Sequence, residues 1–158
     1  MPNWCSNRVT LFHSDPAQLV RAVTAFKANR LLEEFVPVPV ALRETTSGFM
    51  GDSEEQRLLE QQQKDNLSQY GYSSWYDFCV NEWGTKWDVG SGDDEDCQVN
   101  SEHPDKIVSV SLRFESAWAP PIDFYRKIED QGFFVEATYY EPGMGFVGEY
   151  ATDTDDEF

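Results

Sequence analysis

A chain of 158 residues with 15% aromatic side chains has the size of one ordinary domain and too many aromatics to stay unfolded. Its formal charge is −17, and the acid is unevenly placed: residues 1–87 hold 11 acidic and 8 basic side chains, whereas residues 88–158 hold 18 and 4. Such a field repels phosphate backbones, which argues against direct nucleic-acid binding; it attracts basic partners and permits mimicry of nucleic acid.

Residues 4–12 read as a strand, because Val9 and Leu11 alternate with Arg8 and Thr10. Asp15 and Pro16 then supply an N-cap and a first helical residue, and Leu19, Val20, Val23 and Phe26 fall on one face of a helix running to about Asn29. From Phe35 to Gly51, Pro37, Pro39 and Gly48 interrupt any period, which predicts an irregular connection. A polar helix is expected from Ser53 to about Leu67. A short one, Ser74 to Glu82, would put Trp75, Phe78 and Cys79 together before Gly84 ends it.

Thr85 to Val89 reads as a short strand and Gly92 to Asp96 as an acidic loop. The clearest period lies at residues 106–115, where Val108, Val110, Leu112 and Phe114 alternate with Ser109, Ser111, Arg113 and Glu115: a strand with one wet face. Pro120 and Pro121 open a helix with Ile122, Tyr125 and Ile128 on one side, Gly132 closes it, and Phe133 to Tyr140 is a strand. The expected fold is therefore α+β: a ferredoxin-like split βαβ sandwich, an antiparallel sheet with helices on one face, forming one domain over residues 1–150 with a helical insertion at about 35–82. Residues 151–158 read as a frayed acidic tail.

No apolar run reaches 18 residues and no charged-then-apolar leader follows Met1, so neither membrane insertion nor classical secretion is expected and a cytoplasmic location follows. Cys5, Cys79 and Cys97 are odd in number and widely spaced, which predicts reduced thiols. His13 and His103 lack metal-ligand spacing, and no cofactor or metal is expected. Asp93, Asp94, Glu95 and Asp96 lack the alternating ligands of a calcium loop and read as a solvated acidic surface. Gly143, Gly145 and Gly148 spell the dinucleotide-binding glycine pattern, but only ten residues follow, leaving no helix to meet a pyrophosphate. Those glycines predict a tight turn or bulge before a last short strand around Glu149 and Tyr150.

No nucleophile stands with a base and an orienting group; Glu82, Lys86, Glu115 and Glu141 lie near the aromatic segments, where surface ion pairing is their ordinary role, so catalysis is not expected. Trp4, Trp83, Trp87 and Trp118 sit beside turn-forming residues. Completing a core is their ordinary role, while an exposed cluster of them would mark a binding surface.

Four segments carry a likeness: Met-Pro-Asn-Trp-Cys-Ser-Asn-Arg-Val at the start, Trp-Gly-Thr-Lys-Trp-Asp in the centre, Phe-Glu-Ser-Ala-Trp-Ala-Pro-Pro, and Tyr-Tyr-Glu-Pro-Gly-Met-Gly-Phe-Val-Gly. Together they resemble the YubB-like proteins, a ferredoxin-like-domain family of uncharacterised function encoded by phages and plasmids. The resemblance implies that fold and a mobile-element origin, and brings no catalytic residues. The candidate binding residues are Trp4, Asn7, Trp83, Lys86, Trp87, Trp118, Tyr140 and Glu141, with Asn7 and Lys86 the polar members that would be costly if buried unpaired. Two readings follow: a non-enzymatic protein that binds a host or defence protein, with a basic nucleic-acid-binding protein as the natural target of a mimic, or a small-ligand or nucleotide-binding domain, enzymatic or not, with an aromatic pocket.

Overall fold

The computed structural model describes residues 3–46, 54–103 and 106–153. Gly48 and Ser53, and the end of the acidic tail at 154–158, lie outside them. Five antiparallel strands form one sheet: β1 (Trp4–Phe12), β2 (Cys97–His103), β3 (Lys106–Ala117), β4 (Phe134–Glu141) and β5 (Phe146–Ala151), in the spatial order β2-β3-β1-β4-β5. Chain order and spatial order differ because β1, the first strand, lies at the centre. It pairs with β3 from Trp4↔Ala117 to Phe12↔Ser109 and with β4 from Ser6↔Tyr140 to Phe12↔Phe134.

Two crossings carry helices: α1 (Pro16–Lys27) follows β1, and α6 (Ile122–Glu129) joins β3 to β4. Asp15 accepts from the Ala17 amide at 3.0 Å and Pro16 takes the first helical position, so the start of α1 is fixed by capping. The buried side of α1 is Leu19, Ala22, Ala25 and Phe26, whereas Val20 is exposed. Leu19, Ala22 and Phe26 meet Val9 and Leu11 of β1, Val110, Leu112 and Phe114 of β3, Val135 and Ala137 of β4, and Phe124, Tyr125 and Ile128 of α6 in one core. The period-2 alternation sends Ser6, Arg8, Arg113, Glu115, Glu136 and Thr138 to the opposite, solvent-facing side.

Between β1's helix and β2 lie four further helices: α2 (Leu31–Phe35), α3 (Val40–Arg43), α4 (Glu54–Tyr70) and α5 (Trp75–Glu82). The connection expected to be irregular from Phe35 to Gly51 therefore contains α3, whose first residue follows Pro39. α2 is held by Asp88, which accepts from the Leu32 and Glu33 amides at 2.7 and 3.0 Å. α4 is mostly polar, buries only Gln56 and Asn66, leaves Leu58 and Leu67 exposed, and extends to Tyr70 rather than Leu67.

Two expectations need correction. Thr85 to Val89 is not a strand: Thr85 is tied sideways to the Ala117 carbonyl at 2.8 Å and Asp88 turns back onto α2, so the backbone cannot join a ladder. The strand preceding β3 is instead Cys97–His103, an edge strand with register shifts at Asn100/Ser101 and Ser101/His103. The tail does not begin at Ala151, which pairs with Glu136 as the end of β5; Thr152 then donates its amide to the Val135 carbonyl at 2.8 Å and accepts from the Val135 amide at 2.7 Å.

Candidate functional site

At one end of the sheet two loops, residues 83–88 and 117–121, are stapled together. Trp83 is the anchor: it is buried, its Nε1 donates to the Val36 carbonyl at 2.9 Å, and its own carbonyl accepts from the Phe124 amide at 3.2 Å. Gly84 follows with φ +87°, packed where a Cβ would lie 3.2 to 3.3 Å from Asp123, Ile122 and Pro120, so only glycine makes this turn without strain. Thr85 is buried on the Ala117 carbonyl. The chain is pinned on both sides of Lys86 and Trp87, which leaves those two side chains directed outward.

The second loop is held as firmly. The Trp118 amide donates to the Asn3 carbonyl at 2.8 Å, and Ser116 Oγ donates to the Ala119 carbonyl at 2.6 Å. Trp118 adopts φ +70°, a region that costs a bulky side chain on the order of 1–3 kcal/mol and persists only where neighbours impose it. That conformation throws the indole out of the sheet. Lys86 Nζ then lies 4.2 Å from the centre of the Trp87 ring and 4.1 Å from that of Trp118, a cation held between two aromatic faces. Trp4 joins Trp87 at 5.9 Å between centroids, and Tyr76 of α5 meets Trp118 edge-on at 6.4 Å. Trp4, Trp87 and Trp118 each keep 40–41% of their surface exposed.

The eight candidate residues thus divide. Trp4, Lys86, Trp87 and Trp118 form the patch, and Trp83, Asn7 and Glu141 are buried beneath or beside it. Asn7 Nδ2 donates to the Cys5 carbonyl and to Ser116 Oγ, both at 2.9 Å, while its Oδ1 has no hydrogen-bond partner among the described residues. Glu141 has no exposed surface and accepts from the Gly143 and Met144 amides at 2.6 Å each, closing the turn before β5. Gly143 belongs to that turn because a Cβ there would lie 2.6 Å from Asn3 and 2.7 Å from the Glu141 carboxylate. Gly143 and Gly145 lie in this turn, as expected, whereas Gly148 lies within β5 opposite Tyr139. Tyr140 is exposed but faces the open side of the sheet opposite Ser6. Tyr76 carries no local signal of its role: it follows Trp75 at the start of α5, and only the fold brings it to Trp118.

The acidic candidates are less free than their composition implies. Asp93, Asp94 and Glu95 are exposed, but Lys27 donates to Asp94 at 3.2 Å, and Asp96 accepts from Ser91 at 2.6 Å and pairs with Arg113 at 3.5 Å. No group of three or more potential ligands for a metal ion occurs among the described residues. Burial pushes the Cys5 thiol up to about 11, Ser116 opposing and Glu141 adding to the shift, and it pushes Cys79 up to about 12, so neither is an activated nucleophile. No helix among the described residues is long and apolar enough to cross a membrane.

No family model matches the chain, and no curated protein is detectably similar in sequence. Among solved structures, the crystal structure of a protein api92 from Yersinia pseudotuberculosis, described with the family DUF1281, is similar over 97% of this chain and 95% of that one, at 14% identity and a TM-score of 0.48.

Proposed function

We propose that this protein is a non-enzymatic binding protein of the YubB-like kind that engages a partner protein through the tryptophan patch around Lys86. The observation that carries this reading is the exposure of three tryptophans on a fixed frame: Trp87 and Trp118 on loops held by hydrogen bonds, and Trp4 at the start of β1. Trp and Tyr dominate interface energetics because they remove large areas from water at small entropic cost, and a patch already rigid loses less on binding. The left-handed Trp118 supports the same reading, since backbone strain of this kind gathers at functional sites and here it accompanies an exposed indole.

The architectural side of the proposal is a ferredoxin-like core, supported by the order β2-β3-β1-β4 and the placement of α1 and α6, with α2 to α5 as its insertion and β5 as an added edge. With a charge of −17, the partner is a basic one, of the sort that handles nucleic acid, met inside the bacterial host of a mobile element. A small-ligand pocket walled by the tryptophans is the weaker reading. A groove of about 990 Å³ and a depression of about 660 Å³ on the open sheet face are lined by neither Trp87 nor Trp118.

The test is affinity capture of the tagged protein from host extract at low and high salt, with a photoreactive residue in place of Tyr76. One stoichiometric basic protein, crosslinked from position 76 and lost from the Trp87→Ala/Trp118→Ala double variant, is the expected result; each truncation removes about 2 kcal/mol or more if these are hot spots. Undiminished capture by a folded double variant would remove the patch from the account.

A further inference from the structure

The open face of the sheet holds a feature that the patch does not use. Arg8 on β1 lies directly opposite Arg113 on β3, with β-carbons about 5 Å apart as in any such cross-strand pair. Two like charges in register on adjacent strands oppose each other, and here they occur in a protein with only 12 basic residues against 29 acidic ones. Arg113 reaches Asp96 at 3.5 Å, but Arg8 has no hydrogen bond or ion pair among the described residues. Both line a groove of about 990 Å³, whose floor also carries Thr10, Ser111 and Thr138. Glu95 and Asp96 stand on one side of that groove, and Glu136 and Glu149 on the other. An adjoining depression of about 660 Å³ continues past Arg8 and Arg113 to Ser6, Glu115 and Tyr140.

We infer that the Arg8–Arg113 pair is the floor of a binding site for a carboxylate carried by a molecule that also bears cationic groups. Two arginines side by side in register, in a groove also lined by Thr10, Ser111 and Thr138, offer the paired donors that suit the two oxygens of a carboxylate. The rim selects against a bare polyanion: four carboxylates against two arginines leave the larger groove net negative, so a phosphate meets repulsion that a zwitterion converts to attraction. A basic peptide's C-terminus and a free cationic amino acid both present this chemistry, with the carboxylate at the centre and ammonium groups toward Glu136, Glu149 and Glu95. This site is independent of the tryptophan patch.

The experiment is an NMR titration of the purified protein, following the side-chain Nε–H signals of Arg8 and Arg113 against lysyl-lysine, free lysine, acetate and inorganic phosphate in separate arms. Saturable shifts of both signals with lysyl-lysine or lysine, at concentrations at least tenfold below those needed for acetate, are expected. Saturation by free lysine identifies a small-molecule site, and saturation by the dipeptide alone identifies a peptide end. The Arg8→Gln and Arg113→Gln variants, both at exposed positions, should each weaken the shift of the remaining arginine at least tenfold. The inference is overturned if no probe gives a saturable shift, if phosphate saturates the site before lysyl-lysine, or if binding survives Arg8→Gln unchanged.

Discussion

Glu141 and Glu82 show how differently one residue type is used. Glu141 is wholly buried and answered by two backbone amides at 2.6 Å. Glu141→Gln places an NH2 group against one of those donors, and a loss of about 1–3 kcal/mol is expected, read as a lower urea midpoint at unchanged slope. Glu82, half-buried, bonds Lys127 and Tyr72. Burial pushes its carboxyl up, but the hydrogen bonds from Lys127 and Tyr72 outweigh that and hold it below its ordinary value. A carboxyl whose pKa is lower in the folded state contributes stability above its unfolded pKa and loses it as pH falls through the folded one. Lys127→Met should therefore lower stability at neutral pH and flatten its dependence on pH in the acid range. An acid limb as steep as that of the parent protein would show that the Lys127 contact does not set the Glu82 titration.

Among the elements, α4 has the least hydrophobic attachment. Its buried residues are polar, Leu58 and Leu67 are exposed, and Asn66 holds it by donating to Thr45 Oγ1 at 2.9 Å and to the Ser73 carbonyl at 3.1 Å. Amide exchange should be faster in α4 than in α1 or α6, and Asn66→Ala should accelerate it further while leaving the sheet protected. Equal protection of α4 and α1 would contradict this. The same contrast explains what the sequence discloses. α1 and β3 are legible because caps and alternation are local signals, whereas β2 is an edge strand, Cys97–His103, with shifted register and no apolar face to alternate. The patch is half legible: the sequence singles out Trp4, Lys86, Trp87 and Trp118, but local sequence does not tell that Trp83 turns inward. The Arg8–Arg113 juxtaposition was hidden altogether, because it depends on a register between strands more than 100 positions apart.

For the whole molecule, self-repulsion at −17 works against the compact state. Raising salt from about 0.01 M to about 1 M shortens the screening length from about 30 Å to about 3 Å, and the melting temperature should rise. A fall would mean that ion pairs such as Arg21–Glu34 and Lys127–Glu82 outweigh the repulsion. The central place of β1 bears also on the order of events during synthesis. The strand made first finds its partners only when residues 106–117 and 134–141 exist, so the nascent chain must carry an unpaired central strand past all the inserted helices. Helices α1 to α5 can form early, but the sheet closes late. An arrested ribosome–nascent-chain complex displaying residues 1–100 should accordingly be cut readily within β1 by a protease that spares the finished protein.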